Sequence, residues 1–250
     1  ELDRGLYSPE YEHDACGVGL VVNINGSKYH DIIEKGLTVL ENMAHRGAEG
    51  ADSKTGDGAG IMVQRPHEFI LLNGIPVPEK GRYGVGMIFL PKDARDNARF
   101  TEIINECVEA NNLTVMHSRT VPVNSEILGQ AALAAEPEIR QVFITGCDDR
   151  KTLEDKLYLV RKAIERKVLD SSIDDKPACY IASLSTSTIV YKGMLSTMQL
   201  RQYFPDLTSP YFTSAIAMVH SRFSTNTFPT WSLAQPFRLI AHNGEINTIR

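Results

Sequence analysis

Cysteine is scarce in this 250-residue sequence, which has four, far apart, at positions 16, 107, 147 and 179. No Cys-x-x-Cys pair and no Cys/His cluster occurs along the chain. The sequence therefore predicts neither a disulfide-stabilised scaffold nor a zinc or iron–sulfur site. Each thiol has to be considered by itself, as a packing residue or as a nucleophile.

Long apolar runs and long charged runs are also missing. No stretch approaches the roughly 20 apolar residues that span a bilayer, and the first fifteen residues lack the basic and apolar regions of a secretory signal. The formal net charge is -5, and the charges are dispersed. This pattern disfavours a nucleic acid or an anionic membrane as a partner. We expect a cytoplasmic protein that acts on a small polar molecule.

The composition, 42% hydrophobic and 23% charged, suffices for one substantial core. Residues 1–15 are polar and show no sustained hydrophobic period, so we interpret them as a leader peptide. The character of the chain changes at Cys16, and residues 16–250 are interpreted as one domain. No internal repeat and no low-complexity tract is present.

Strands outnumber helices in the predicted order of elements. Helical spacing of apolar residues predicts helices at 30–45, 93–111 and 153–168. Short apolar runs predict strands, at 16–24, 61–63, 83–90, 141–145, 179–184, 187–191 and 214–220. We expect the runs at 61–63 and 83–90 to be adjacent, and the last two before residue 200 to form an antiparallel hairpin. The sequence thus predicts an α+β fold rather than a parallel nucleotide-binding fold.

Cys16 stands before a flexible Gly-x-Gly segment at the start of a predicted strand. Cleavage of the Ala15–Cys16 bond would give this residue a thiol and a free α-amine, whose pKa of about 8 suits a base at neutral pH. The alternative is an ordinary buried cysteine, since free cysteines are among the most buried residues. Taken alone, this segment favours the alternative.

Polar residues near the C-terminus follow predicted strands. Arg222 offers a planar fork that matches a carboxylate. Asn243 and Gly244 offer a side-chain amide and a backbone N–H that suit an oxyanion, although an Asn-Gly pair alone is more often a hairpin turn. The glycine-rich segment 56–60 opens a strand, whereas a dinucleotide fingerprint opens a helix. We therefore interpret its glycines as residues that allow the backbone to approach closely beneath Cys16.

Five motifs occur in a fixed order, and they resemble those of the class II glutamine amidotransferases of the N-terminal-nucleophile superfamily. They are Cys16-Gly-Val-Gly19, Ala44-His-Arg-Gly47, Gly56-Asp-Gly-Ala-Gly-Ile61, His220-Ser-Arg-Phe-Ser-Thr225 and His242-Asn-Gly-Glu245. Longer strings such as Leu233-Ala-Gln-Pro-Phe-Arg238 are similar, more narrowly, to the amidotransferase domain of the glutamate synthase large-subunit family. The resemblance covers nearly the whole chain. It implies a four-layer αββα sandwich of two antiparallel sheets flanked by helices.

The resemblance also implies roles for the residues that match the motifs. Cys16 would attack the side-chain amide of glutamine and form a γ-glutamyl thioester. Arg222 would bind the α-carboxylate of glutamine, and Ser224 and Thr225 would lie in a loop that closes over it.

Two further roles are implied with it. Asn243 and the N–H of Gly244 would form the oxyanion hole. Arg46 would have a supporting electrostatic role; a cation favourable to the dipole at a helix C-terminus is an equally good interpretation of this residue.

The implied reaction is hydrolysis of L-glutamine to glutamate and ammonia, with the ammonia used for reductive amination of 2-oxoglutarate elsewhere in a full enzyme. No cofactor is expected in these 250 residues. FMN and an iron–sulfur cluster are expected in later synthase domains of the same chain, with a small subunit or ferredoxin as electron donor.

Two departures from the family pattern lead to further expectations. The leader acylates the nitrogen of Cys16, so an unprocessed molecule should be nearly inactive. The sequence stops at Arg250 inside a motif that the family continues, and an aspartate for the α-amino group of glutamine is expected beyond it, so we expect weak activity at best. The alternatives are another class II amidotransferase, or an inactive, unprocessed binding or assembly fragment.

Overall fold

The computed structural model describes residues 17–46, 54–223 and 227–242, apart from the side chain of Arg46. Within these ranges, eight strands form two four-stranded antiparallel sheets. The strands are β1 (Gly17–Val22), β2 (Ala59–Gln64), β3 (Tyr83–Leu90), β4 (Thr114–Thr120), β5 (Glu138–Thr145), β6 (Tyr180–Ser185), β7 (Thr188–Gly193) and β8 (Ile216–Ser221). The first sheet has the order β1-β8-β2-β7, and the second has the order β4-β5-β3-β6.

Six α-helices accompany these strands in the described part of the chain. They are α1 (His30–Asn42), α2 (His67–Leu72), α3 (Ala94–Ala110), α4 (Gln130–Ala134), α5 (Arg150–Leu169) and α6 (Gln199–Tyr203). Side-chain caps fix the starts of the two longest. Asp93 accepts a hydrogen bond from the N–H of Asp96 at 3.0 Å, and Asp149 accepts one from the N–H of Thr152 at 2.8 Å.

The elements stack in four layers. Helix α1 packs on β1 and β8 of the first sheet, whereas α3 and α5 pack together on the second sheet. One core lies beneath α1 and between the two sheets, and a second core lies between the second sheet and its helices. The predicted αββα sandwich is therefore confirmed.

Two predicted pairs of neighbouring strands are wrong. Strands β2 and β3 lie in different sheets. Strands β6 and β7, predicted as a hairpin, also lie in different sheets, since β6 pairs with β3 and β7 with β2. Both strands are buried almost throughout. An apolar run of this kind does not reveal which neighbour it pairs with, so closeness along the chain was a poor guide.

Polar or short elements account for the other differences. Strand β4 was not predicted, because it is a polar, partly exposed edge strand with the sequence Thr-Val-Met-His-Ser-Arg-Thr. The helix predicted at 30–45 is shorter, since α1 ends at Asn42 and Ala44–Arg46 form a separate 3-10 helix. In the described ranges, no helix has the length and apolar character needed to cross a membrane.

The core between α5 and the second sheet allows a matched test of packing. Leu157 is fully buried and Leu159, two residues further on, is 55% exposed. We expect Leu157→Ala to lower the free energy of unfolding by about 2–5 kcal/mol, because it leaves a cavity. Leu159→Ala should change it by no more than about 0.5 kcal/mol. Urea denaturation followed by circular dichroism measures both, and equal losses would contradict the burial assigned to α5.

Candidate functional site

The site begins where three strands of the first sheet meet. Ser221, the last residue of β8, lies opposite Gly17 of β1 on one side and opposite Ala59 of β2 on the other. Antiparallel pairing therefore brings the start of β1, the start of β2 and the end of β8 together where these strands terminate, and this end of the sheet is called the sheet edge below. The motifs that begin at residues 16, 56 and 220, far apart in sequence, all reach this edge.

Arg222 follows β8 at this edge and is held firmly. It is 9% exposed. Its backbone N–H donates to the carbonyl of Gly58 at 2.8 Å, Nη1 donates to the carbonyl of Asp57 at 3.2 Å, and Nη2 donates to Oγ1 of Thr227 at 2.6 Å. These contacts tie the guanidinium to the glycine-rich segment and fix its orientation.

The glycines at 58 and 60 permit close backbone approach. Gly58 has φ +141°, a conformation that side chains rarely adopt, and the position of a Cβ there would be 3.0 Å from Cα of Ala234. A Cβ on Gly60 would lie 2.4 Å from the carbonyl oxygen of Gln235. The segment thus opens a strand beneath residues 234–235, as expected. Its position relative to Cys16 lies outside the described residues.

Lys192 of β7 is fully buried beside this approach. Its Nζ donates to the carbonyls of Ala234 at 2.7 Å and Ser232 at 2.9 Å, and to the hydroxyl of Tyr180 at 3.1 Å. Burial, followed by the nearby charge of Arg238, holds the pKa of Lys192 well below its usual value. The lysine therefore secures the 232–234 segment through main-chain acceptors.

His220 and His242 link β8 to the segment that precedes the predicted oxyanion hole. Nε2 of the fully buried His220 lies 2.8 Å from the carbonyl oxygen of His242, so this nitrogen carries the proton and donates. Burial lowers the pKa of His220 to about 4. Nδ1 of His220 and Oε1 of Gln235 are buried and have no hydrogen-bond partner in the described part of the chain. His220 is therefore a neutral anchor near pH 7.

Only some of the predicted site residues lie within the described part of the structure. Arg222 lies at the sheet edge as described, but Cys16, Ser224, Thr225, Asn243 and Gly244 lie outside the described residues. The backbone of Arg46 ends the 3-10 helix, beyond the last turn of α1, which has no basic residue. Both roles considered for the Arg46 side chain, a supporting charge and a cation favourable to the dipole at a helix C-terminus, stay predictions.

Sequence reasoning gave no role to Lys192, Gln235, His220 or His242, although the last three lie within quoted motifs. A signal for Lys192 was present, since it is the one charged residue in the apolar run of β7. A lysine in a strand buried on both faces needs acceptors for its ammonium group.

The three described cysteines do not suit a nucleophile at this edge. Cys107 packs in the core of α3, and burial raises the pKa of its thiol. Burial raises the pKa of Cys179 to about 12. Cys147 lies in the connection before α5, with Sγ 3.5 Å from the carbonyl of Asp149. No cluster of His, Cys, Asp and Glu suited to a metal ion occurs in the described ranges, so they do not fit an iron–sulfur cluster.

The comparisons with known proteins agree on one family. A family model described as "Glutamine amidotransferases class-II" matches residues 16–250. The chain is 46% identical over 252 residues to the glutamate synthase (NADPH) large chain of Bacillus subtilis and 45% identical over 264 residues to glutamate synthase (NADH) of Saccharomyces cerevisiae. It is 43% identical over 247 residues to ferredoxin-dependent glutamate synthase 2 of Synechocystis.

These alignments cover nearly all of this chain and little of each relative. They span 99%, 99% and 95% of the chain, in the order given, but 16%, 12% and 15% of the relatives. The chain thus corresponds to a sixth or less of the length of the proteins it resembles.

The neutral state of His220 predicts a pH dependence of stability. Its pKa is about 4 in the folded protein and 6.5 ordinarily, so the unfolded chain binds more protons below pH 6.5. The stability contributed by neutral His220 is complete above pH 6.5 and is lost as the pH falls towards 4, by about 3 kcal/mol in total. Urea unfolding of wild type and His220→Gln across this range should show a shallower pH slope for the variant.

An identical slope for both proteins would contradict this assignment. If His220→Gln does not fold, the ring proton of His220 can be followed by NMR in the wild type, and it should not titrate between about pH 5 and pH 7.

Gly60 gives a second test. Gly60→Ala places a methyl group against the carbonyl of Gln235 and should destabilise the protein by about 1–3 kcal/mol. It should also shift the fluorescence of Trp231, the sole tryptophan, which is buried in the adjoining segment and donates to Ala132 O at 3.1 Å.

Gly26→Ala is the control: its new methyl group meets nothing within 4 Å, and the φ of +73° at this position costs an alanine about 1–2 kcal/mol. Equal emission in both variants would contradict the close approach.

Proposed function

This chain belongs to the class II glutamine amidotransferases, and on this premise we propose that it hydrolyses the side-chain amide of L-glutamine to glutamate and ammonia. The observation that carries the proposal is the pairing of Gly17 with Ser221. Cys16 is bonded to Gly17 and Arg222 to Ser221. This pairing supports the proposal, because the proposed nucleophile and the proposed carboxylate ligand each adjoin in sequence one of two residues that face each other at the sheet edge.

Cys16 is proposed as the nucleophile, with residues 1–15 as a leader removed before activity. Two observations support this. The family match begins at residue 16, and the thiols of the buried Cys107 and the half-buried Cys179 have raised pKa values that disfavour the thiolate. Once Cys16 is the first residue, its α-amine accepts the thiol proton and no separate histidine base is required. His220, with its lowered pKa and its proton committed to His242, is an anchor rather than a base.

In the proposed reaction the sulfur of Cys16 attacks the side-chain carbonyl carbon of glutamine. The carbon–nitrogen bond breaks as the nitrogen takes a proton from the α-ammonium group of Cys16. Ammonia is released, and Cys16 remains as a γ-glutamyl thioester. A water molecule, deprotonated by the same amine, then attacks the thioester. Glutamate and the free thiol are the products.

Arg222 is proposed to bind the α-carboxylate of glutamine. Its buried guanidinium is held by the carbonyl of Asp57 and the hydroxyl of Thr227, so little side-chain entropy remains to be lost on binding. We assign Ser224 and Thr225 to the loop that covers glutamine.

The oxyanion hole is proposed at the amide of Asn243 and the N–H of Gly244. The hydrogen bond from His220 to the carbonyl of His242 supports this, because it anchors the residue directly before Asn243. Arg46 is proposed as a supporting positive charge near the site.

For the whole protein, we propose a glutamate synthase that uses the ammonia for reductive amination of 2-oxoglutarate in other domains. FMN and an iron–sulfur cluster would lie in those domains. The names of the relatives specify NADPH, NADH or ferredoxin at nearly equal identity, 46%, 45% and 43%. This part of the chain therefore does not determine the electron donor. A cytoplasmic location remains a prediction.

Substitutions at the two proposed residues test the mechanism in protein whose N-terminal Cys16 has been verified by intact mass. Cys16→Ser should abolish ammonia release from glutamine. Arg222→Ala should lower kcat/KM by about 10- to 100-fold, mainly through KM, because a charge-assisted contact is lost. In a full enzyme, synthesis from added ammonia should persist in both variants.

Cys147→Ser is the matched control and should leave ammonia release unchanged, since Cys147 lies before α5, away from the sheet edge. Circular dichroism checks that Arg222→Ala still folds, because its contacts with Asp57 and Thr227 are also lost. Ammonia release that persists in Cys16→Ser would overturn the proposal.

A further inference from the structure

A polar pocket lies at the opposite end of the first sheet from the candidate site. Its volume is about 340 Å3, and its lining includes Gln64, Thr188 and Ile216. Strand β2 starts at the candidate site with Ala59 and ends at the pocket with Gln64, a distance of about 17 Å at roughly 3.3 Å per residue. The pocket is therefore separate from the proposed amidotransferase site.

Four basic side chains line this pocket: Lys28, Arg65, Lys80 and Arg150. They come from four separate parts of the chain, so the fold rather than a local charge run brings them together. Arg65 is 6% exposed, donates to the carbonyl of Tyr83 at 2.5 Å and stacks over the ring of Tyr83 at 3.8 Å. Arg150 donates to Oγ of Ser187 at 2.7 Å.

Negative charge does not balance this group. Lys80 pairs with Glu68 at 2.9 Å, but within the described ranges Lys28, Arg65 and Arg150 have no carboxylate at ion-pair distance. The charge of Glu154 raises the pKa of Arg65, but Oε2 of Glu154 already accepts from the N–H and hydroxyl of Thr186.

The positive charges of these side chains also repel one another. Burial, then the charges of Lys80, Arg65 and Arg150, lowers the pKa of Lys28, and burial with a contribution from Arg150 lowers that of Arg65. Arg150 opens α5, where the helix dipole favours an anion rather than a cation, and the first turn contains no acidic residue. Like charges held together with only partial compensation favour the binding of an anion.

We propose that this pocket binds a small doubly charged oxyanion of the phosphate class, either inorganic phosphate or a compact phosphate monoester. The arginine forks of residues 65 and 150 and the hydroxyl of Ser187 provide donors in the number that a phosphate accepts. Apart from the imidazole of His67, the described lining includes no aromatic ring, so it offers no Phe, Tyr or Trp face to a nucleobase. The volume accommodates a phosphate group with a short substituent.

Calorimetric titration with inorganic phosphate at constant ionic strength tests the proposal in the purified protein. We expect saturable binding with a dissociation constant below about 10 mM. The double variant Lys28→Gln/Arg150→Gln should weaken it at least about tenfold, since two donors and two charges are removed. The control Lys151→Gln/Lys162→Gln removes the same charge from exposed lysines that already pair with Asp155 and Glu165, and should bind like wild type.

Two parallel titrations identify the chemistry of the ligand. Glycerol phosphate binding at least as tightly as phosphate would indicate a monoester, and weaker binding would indicate the free ion. Tighter binding of succinate would overturn the phosphate assignment. The proposal also fails if wild type shows no saturable binding, or if both double variants weaken it equally. None of these results depends on glutamine hydrolysis, so the two proposals stand or fall separately.

Discussion

The site depends on the hydrogen-bonded position of β8 between β1 and β2. A central antiparallel strand leaves its neighbours no freedom of register, because a slip of one residue would turn every buried side chain of the strand to the wrong face. Ser221 is therefore fixed against both Gly17 and Ala59. Residues from the beginning, the first quarter and the end of the chain are brought to one place by backbone pairing alone.

Main-chain carbonyls satisfy the buried cations around this edge. Lys192 donates to the carbonyls of residues 232 and 234, and Arg222 donates to that of Asp57. Carbonyl dipoles stabilise a buried cation without placing a full negative charge beside it. Lys192 also restricts the 232–234 segment, because its Nζ binds two carbonyls of that segment.

The sequence predicted local structure well and long-range pairing less well. A continuous apolar run located β3, which is buried on both faces. Helical periodicity located α3 to within one residue and α5 to within three, since both bury one clear face, and Asp93 caps the start of α3. The sheet assignment of β6 and β7 was missed, because buried strands carry no alternation that identifies a partner. For the site, motif order led to Arg222. The contacts of Lys192 were not predictable, because they depend on which backbone carbonyls the fold places around it.

The connection between β6 and β7 has a consequence for how the molecule unfolds. Only Thr186 and Ser187 join the two strands, which belong to opposite sheets, and Glu154 from α5 holds Thr186 by its N–H and hydroxyl. Such a short link cannot stretch if one sheet separates while the other stays intact. The two halves of the sandwich are thus coupled mechanically, and the described structure should open as a single cooperative unit.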